Sequence, residues 1–253
     1  MNLFRPQRYA AGDQLEVEGV VVRLAVNPRA SRVSLRLDAA RREAVATAPS
    51  LRRLGEAVAF AHQRGLWLQQ KLAALPEGLA LAPGMTISVL GEPCRLEAAP
   101  GRARAKLISI PGEPLRIAAS GEPDAFARGV VRVLKAHALS VLSERSAAYA
   151  VALDRPPPVV AVNDPHARWG SCTPPRRVGF GASVEVGRIR YSWRLVMAPY
   201  AVADYVAAHE CCHLIEANHG PKFWALVHGL VGDHRPHRDW LRAHGPALHA
   251  FGR

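Results

Sequence analysis

The chain has 253 residues, of which 49% are hydrophobic and 21% charged, a composition typical of globular proteins. It contains no uninterrupted apolar run of about 18 residues, so the sequence predicts no membrane-spanning helix and no membrane partner. The formal charge of +12 at pH 7 would suit nucleic acid or acidic substrates. The basic residues are mostly scattered arginines with few aromatic side chains among them, so charge alone assigns no partner.

The N-terminal sequence and the spacing of the cysteines indicate the cellular compartment that we expect for the protein. Polar residues Gly12-Asp13-Gln14 follow the N-terminus before an apolar core could form, which argues against a secretory signal. The four cysteines include an adjacent pair, Cys211 and Cys212, and the others are scattered, which is poor material for a disulfide framework. We therefore expect a reduced, cytoplasmic protein, and the oligomeric state stays open.

The first part of the chain predicts strands and then a helix. Residues 15–48 are strand-like: apolar residues alternate along 20–26 and again along 33–37, and Asn27-Pro28-Arg29 between them is a turn signal, so we expect a hairpin with one buried face. Residues 51–75 carry apolar side chains at helical spacing until Pro76, and Gly65 is a weak point that could divide this helix in two.

Short strands return along 81–120, at 85–90, 94–98, 107–110 and 115–118. A long helix follows Pro123 and must end before Pro156-Pro157-Pro158. Residues 159–162 and 189–197 are strand-like and flank a glycine-rich loop, after which Pro199 opens another helix. This order predicts an α+β fold, with a β-rich N-terminal portion at 1–120, a more helical portion with a small sheet at 121–253, and no internal repeat.

The helix after Pro199 contains the pattern H-E-x-x-H, formed by His209, Glu210 and His213. Residues four apart lie one turn apart on one helical face, so the two imidazoles can bind one metal ion. Zinc lowers the pKa of a bound water to roughly 7, and Glu210 could then take its proton. Apolar flanks such as Val206 and Leu214 favour this interpretation over two histidines on an amphipathic surface helix.

A catalytic zinc site needs a third protein ligand, and two residues are candidates. Glu216 would lie one turn further along the same face, which suits a residue behind the ligands rather than a ligand. His219 lies in Asn218-His219-Gly220-Pro221, a sequence that ends helices and reverses the chain. Because that reversal would return His219 toward the metal, the sequence favours His219 as third ligand.

The remaining metal-binding residue types show no ligand spacing. Cys211 and Cys212 follow Glu210 within the motif and point away from the histidine face, so we expect them to pack as small buried thiols. The later histidines are expected to be exposed or capping residues: His228, His234, His237, His244 and His249.

The H-E-x-x-H segment and several blocks around it together resemble the YgjP-like metallopeptidases, relatives of the SprT-like and minigluzincin proteins. The resemblance runs from about residue 18 to the C-terminus. It rests on Arg168-Trp169-Gly170-Ser171-Cys172, Tyr191-Ser192-Trp193-Arg194-Leu195, Asp204-Tyr205-Val206, His209-Glu210-Cys211-Cys212-His213-Leu214, Asn218-His219-Gly220-Pro221-Lys222-Phe223-Trp224 and Asp239-Trp240-Leu241.

The resemblance implies a zincin-like catalytic domain in residues 121–253. It further implies one zinc ion held by His209, His213 and His219, with Glu210 as catalytic base. The block beginning at Arg168 would lie close to the metal helix. The chain departs from the family in its Cys-Cys pair and in a longer 173–190 segment, which we expect to border the cleft.

The favoured function is a zinc-dependent metallopeptidase acting on a peptide or protein, with Arg168 and Tyr205 as candidate donors to the oxyanion. One alternative is a metal-dependent nucleotide pyrophosphatase, although no glycine-rich phosphate loop is evident and phosphoryl-transfer sites are usually rich in carboxylates. A second alternative is a nucleic-acid-associated SprT-like protease or binding factor, for which binding should depend steeply on salt.

Overall fold

The computed structural model describes residues 9–38, 41–74, 79–165, 168–177 and 184–251. The chain divides into two compact units, Met1–Glu77 and Gly78–Arg253. None of the helices in these ranges is long and apolar enough to cross a bilayer. The boundary of these compact units falls between Glu77 and Gly78, and the strands of 86–119 share a core with the long helix that follows them. The domain boundary near residue 121 stays a prediction. The α+β class itself is confirmed.

The first unit is a four-stranded sheet with two helices packed on one face. Its core consists of apolar side chains from the inner face of the sheet and from the helices, among them Leu24, Ala46 and Leu54. Strand order is β1-β2-β4-β3, with β2 and β4 parallel and the outer pairs antiparallel. The elements are β1 (Gln14–Val17), β2 (Val20–Val26), β3 (Ser34–Asp38), β4 (Glu43–Ala48), a 3₁₀ turn (Leu51–Arg53), α1 (Leu54–Gln63) and α2 (Gly65–Ala73).

The predicted hairpin of β2 and β3 is wrong. The turn at Asn27 forms, since its side chain accepts a hydrogen bond from the Arg29 backbone at 3.0 Å. However, β4 lies between the two strands and pairs with both. All but one residue of β4 are buried, so it lacks the alternation that would have revealed a central strand. The predicted 51–75 helix does divide in two, at Arg64.

The second unit begins with another four-stranded sheet, in the order β5-β6-β8-β7, covered by the long helix α3. Phe126 and Leu134 of α3 pack in one cluster with Leu96 and Ile117 of the sheet. As predicted, α3 begins at Pro123 and ends before the prolines at 156–158. The elements are β5 (Thr86–Val89), β6 (Glu92–Ala98), β7 (Lys106–Ile108), β8 (Leu115–Ala119) and α3 (Pro123–Ala152).

The rest of the second unit carries a smaller sheet, ordered β10-β13-β9, and three helices. The predicted strand at 189–197 forms only in its first part. Ser192 ends the strand, accepting a hydrogen bond from the Arg194 backbone, and a 3₁₀ turn (Trp193–Met197) follows. The elements are β9 (Val159–Asn163), β10 (Gly170–Thr173), β11 (Arg176–Arg177), β12 (Val184–Glu185), β13 (Arg188–Ser192), α4 (Tyr200–Cys212), α5 (Pro221–Val231) and α6 (Arg235–Leu248).

The four-stranded sheets of the two units repeat one arrangement that the sequence did not reveal. Strands β1, β2 and β3 begin at 14, 20 and 34, and β5, β6 and β7 begin at 86, 92 and 106, so each pair of starts is 72 residues apart. Both first hairpins turn through two residues with positive φ, Glu18-Gly19 and Leu90-Gly91. The fourth strands, β4 and β8, also begin 72 residues apart, but their pairing is shifted by one residue, since Val22 is opposite Ala44 whereas Cys94 is opposite Leu115.

Candidate metal centre

Helix α4 carries the H-E-x-x-H motif and is buried on nearly all sides, so its start and axis are fixed by neighbouring elements. Its first turn is held by the tip of the β5–β6 hairpin. The Leu90 backbone N–H donates to Val196 O at 2.7 Å, and the Tyr200 N–H donates to Leu90 O at 3.2 Å. Pro199 at the N-cap then leads the chain into the helix, as the sequence predicted.

A carboxylate on α4 ties that helix to α3. Asp204 accepts a hydrogen bond from Arg145 Nε at 2.6 Å and another from the Tyr149 hydroxyl at 2.7 Å, so both of its oxygens are occupied. The Arg145 guanidinium also lies over the Tyr149 ring, 4.8 Å from its centroid. This network fixes the rotation of α4 one turn before His209.

The structure brings the three predicted ligands together. His209 lies in the last turn of α4, His213 caps its C-terminus, and the segment after it returns His219 to the same point. His219 Nε2 is 3.1 Å from His209 Nε2 and 3.2 Å from His213 Nε2. The only group of metal-ligand side chains within the described ranges is this trio, whose ligand atoms all lie within 4.8 Å of one another.

The donor set fits a zinc ion. Four ligands in a tetrahedron with Zn–N distances of about 2.0–2.1 Å would place neighbouring nitrogens roughly 3.3 Å apart. His219 Nε2 carries at most one hydrogen, which it can donate to only one of the two neighbouring ring nitrogens. A cation at the point where the three rings meet accepts a lone pair from each nitrogen, and so satisfies all three better than hydrogen bonds between the rings do. Burial, with His213 and His219 nearby, lowers the pKa of His209 to about 3, which keeps its imidazole neutral.

Backbone and aromatic groups hold the histidine rings in place. His213 Nδ1 is 2.9 Å from the backbone oxygen of Glu216, which leaves Nε2 facing the other rings. The Phe223 ring stacks on His213 at 4.5 Å, and Trp224 stacks on His219 at 5.8 Å. Sequence reasoning assigned these two aromatic residues no separate role. Their position in the first turn of α5, directly after a chain reversal, was the available signal.

Glu210 is the carboxyl group beside the trio. Only 6% of it is exposed, and burial raises its pKa to about 7, although the nearby Arg168 charge lowers it. Gly170 of β10 lies directly against it, since a β-carbon at residue 170 would be 2.5 Å from Glu210 Oε1. The first residue of β10 therefore fixes the position of this carboxyl group.

The other candidate residues occupy different positions around the centre. Arg168 lies at its rim, exposed, and lines a cavity with the histidines. Tyr205 is 5% exposed, and its ring meets that of His209 edge-on at 5.9 Å. Glu216 is not on α4, which ends at Cys212, so its contact with the centre is through its backbone oxygen.

The adjacent thiols lie on the other side of α4. Cys211 and Cys212 are fully buried, and burial raises the pKa of each to about 12. Cys211 Sγ is 3.5 Å from the Ser146 backbone oxygen of α3. They pack α4 against its neighbours, as predicted, and offer no ligand to the histidine trio.

Two cavities meet at the centre and share Gly170, His209, Glu210 and His219. The larger, of about 480 Å³, extends toward α6, and its other lining residues are Trp169, Tyr205, Val206, Trp224, Arg238, Leu241 and Arg242. The smaller, of about 350 Å³, extends past β10 and is further lined by Arg168, Ser171, Cys172, Pro174, His213 and Ala217. Sequence reasoning did not find Arg238 and Arg242, because arginines four residues apart are common on exposed helical faces.

The 173–190 segment borders this centre through Pro174, which lines the smaller cavity. Rather than forming only a loop, it contains the antiparallel pair β11 and β12, with Arg176 opposite Glu185. The stretch 178–183 lies outside the described residues.

Comparison with protein families gives one match of long extent. The family model described as YgjP-like, metallopeptidase domain, matches residues 31–244, which is most of the chain. Comparisons with curated proteins and with solved structures gave no significant match. The predicted resemblance is confirmed at the level of the family.

Proposed function

The chain belongs to the YgjP-like metallopeptidase family, and on that premise we propose that it is a zinc-dependent peptidase acting on a peptide or protein substrate. The observation that carries the proposal is the convergence of three imidazoles beside one buried carboxyl group, where two cavities meet. His209, His213 and His219 would hold the ion, and Glu210 would be the catalytic base.

The choice of zinc rests on the ligand chemistry. Imidazole nitrogens suit zinc and its transition-metal neighbours, whereas magnesium and calcium prefer oxygen ligands. When bound, the ion supplies Lewis acidity, which polarises a substrate carbonyl and lowers the pKa of water to about 7. The backbone oxygen of Glu216 would keep His213 in the tautomer that presents Nε2.

The environment of Glu210 suits a group that first accepts a proton and then donates it. With its pKa raised by burial to about 7, it gains and loses a proton readily near neutral pH. In the proposed reaction its carboxylate takes a proton from water, and the hydroxide adds to the carbonyl carbon. Glu210 then returns that proton to the amide nitrogen as the C–N bond breaks.

Two side chains are candidates to donate a hydrogen bond to the oxyanion that forms. Tyr205 is buried beside His209, and burial raises the pKa of its hydroxyl, so it stays a donor through neutral pH. Arg168 lies in the other cavity, where its charge already acts on Glu210. A donor aimed at the oxyanion is typically worth about 10²–10³ in rate.

The strand beside the centre favours a peptide over a nucleotide substrate. Within the described residues, β10 pairs with β13 along one edge and with no strand along the other. Gly170, Ser171 and Cys172 of β10 line the smaller cavity together with His209 and Glu210. An extended peptide could pair with this edge and place a carbonyl group at the histidines.

The nucleotide alternative finds less support. Glu210 is the only carboxylate among the described residues that line the two cavities, whereas sites that bind nucleotide phosphates through magnesium use several oxygen ligands. The positive charge of the chain is compatible with a nucleic-acid partner, but no arrangement of the described residues at the centre favours that function.

The Glu210→Gln variant tests the proposal. We expect it to retain one zinc ion per chain while hydrolysis of casein or of quenched fluorescent peptides falls by about 10³-fold, since the amide cannot take the proton. Metal content by mass spectrometry and hydrolysis rates should be measured on the same samples. Undiminished hydrolysis, or release of pyrophosphate from nucleoside triphosphates without any peptide cleavage, would overturn the assignment.

A further inference from the structure

Helix α6 contributes two arginines to the larger cavity. Arg238 and Arg242 are one turn apart on the same helical face, and both line the cavity that contains His209 and Glu210. We propose that this cavity binds a carboxylate group of the substrate next to the scissile bond, and that these two arginines determine that specificity. The inference rests on the proposed peptidase function, which supplies the scissile bond.

The charges around the two arginines do not cancel. Among the described residues, both arginines pair with the carboxylate of Asp239, whose Oδ1 is 3.1 Å from Arg242 Nη1 and 3.9 Å from Arg238 Nε. One carboxylate between two guanidinium groups leaves a net positive charge. Glu210, the only carboxylate of the described lining, lies at the histidine end. The cavity therefore has a reactive end and a positive end.

The walls between these ends are aromatic and apolar. Trp169, Tyr205 and Trp224 line the cavity with Val206 and Leu241. Trp224 is held by stacking on His234 at 4.4 Å, and that histidine also stacks on Tyr205 at 5.9 Å. Such walls would bury the apolar atoms of a bound substrate and hold it between the two ends. The volume of about 480 Å³ is in the range of ligand pockets, about 300–1,000 Å³.

A carboxylate is the anion that peptides carry, and the planar guanidinium group matches it in shape and hydrogen-bonding pattern. Two parts of a peptide can present it: the side chain of Asp or Glu, or the C-terminus of the chain. In the first case the protein would cleave within chains beside acidic residues, and in the second it would remove residues from C-terminal ends. Arg238, with 45% of its side chain exposed against 73% for Arg242, should make the larger contribution.

Binding and cleavage are measured separately, so that each proposal can fail by itself. Binding is measured by calorimetry with zinc-loaded Glu210→Gln protein, which leaves the peptides intact. The probes are blocked alanine hexapeptides with a single Glu or a single Gln at each inner position, and an all-alanine hexapeptide with a free or an amidated C-terminus. Cleavage of the same peptides is measured with the protein that retains Glu210.

We expect one Glu position, or the free C-terminus, to bind about tenfold more tightly than its neutral counterpart. This preference should fall to about twofold or less in Arg238→Gln, and disappear in the double variant with Arg242→Gln. The matched control is Arg235→Gln, also on α6 but paired with Asp233 and outside the cavity lining, which should keep the full preference. If a Glu-containing peptide shows the preference, the recognised carboxylate is an acidic side chain. If the peptide with a free C-terminus shows it, the recognised carboxylate is the C-terminus.

Equal affinity for charged and neutral probes at every position would overturn the carboxylate specificity, even if all peptides are cleaved. A preference that survives in the double variant would overturn the role of the two arginines. If carboxylate probes bind with the expected dependence on both arginines but none is cleaved, the specificity stands and the proposed peptidase function fails.

Discussion

Gly170 leaves no room for a side chain against Glu210: a β-carbon at residue 170 would lie 2.5 Å from the Oε1 atom and 2.6 Å from the Cγ atom of that carboxyl group. The backbone of β10 and the proposed catalytic carboxyl group are thus in direct contact. Any side chain at residue 170 must displace one of them.

Gly170→Ala should therefore abolish most activity while the metal stays bound. The methyl group would push Glu210 out of position, and displacing a catalytic group by about 1 Å can cost about 100-fold in rate. Hydrolysis rates and zinc content should be compared with those of Gly229→Ala. Gly229 is inside α5, and a β-carbon there would have nothing within 4 Å, so its variant should keep full activity. Loss of zinc in Gly170→Ala would contradict a displacement confined to Glu210.

His219→Ala should lower zinc affinity by more than about 100-fold, because it removes one of three nitrogen ligands. The thermal unfolding temperature of the unaltered protein should rise when zinc is added to metal-free samples, since a ligand that binds only the folded state stabilises it. That rise should be lost in His219→Ala. His228→Ala, an exposed histidine of α5, is the control and should behave as the unaltered protein. An unchanged zinc-dependent rise in His219→Ala would refute the ligand assignment.

Asp204→Ala should destabilise the second unit by about 1–3 kcal/mol, because it leaves the Tyr149 hydroxyl and the Arg145 guanidinium without their shared acceptor. Urea unfolding measures the change in free energy. Glu113→Ala, which breaks the more exposed pair with Arg116, should change it by less than about 0.5 kcal/mol. Comparable losses in the two variants would show that Asp204 does not hold α4 to α3.

Stability should depend on the ionisation of Asp164. Burial alone would raise its pKa, but the paired Arg194 guanidinium, with smaller contributions from Trp193 and Lys135, outweighs burial, and the pKa lies below its ordinary value. A carboxyl group with a lowered folded-state pKa stabilises the protein above its unfolded-state pKa of about 3.9. That contribution is lost as the pH falls through the lower folded-state value.

The difference in unfolding free energy between the unaltered protein and Asp164→Asn should thus be constant from about pH 7 to 5 and shrink below about pH 4. Urea unfolding at a series of pH values measures it. Asp124→Asn, which removes an exposed charge from the first turn of α3, corrects for the general effect of net charge. A difference that does not vary with pH would exclude a stabilising ion pair.

The convergence of the three histidines was largely predictable because it follows from local rules. Helical spacing places His209 and His213 on one face, and the chain reversal at Asn218 returns His219 to them. The contact of Gly170 with Glu210 was not predictable, since β10 and α4 are brought together only by the tertiary fold. The same holds for Arg238 and Arg242, whose spacing in sequence does not distinguish a cavity lining from a solvated face.

Local sequence patterns predicted the strand pairing of the first sheet incorrectly. Alternation identified β2 and β3 but not β4, the buried strand between them. The repeat of the two sheets was also not predictable, because its two copies share few residues beyond turn and core positions such as Gly12 and Gly84, or Leu24 and Leu96. In each copy the glycine N–H donates to the leucine oxygen at 2.8 Å, a relation that the sequence alone does not reveal.

The two equivalent hairpin turns have different neighbours. Leu90, in the second copy, donates a hydrogen bond to Val196, just before α4, and accepts one from Tyr200, the first residue of α4. Its counterpart Glu18, in the first copy, lies against Gly65 at the start of α2. The same backbone perturbation can therefore be introduced at Gly91, in the hairpin that contacts the start of α4, and at Gly19, in the equivalent hairpin that contacts the start of α2. The Gly19 variant is a matched control for the effect of the Gly91 variant on the histidine trio.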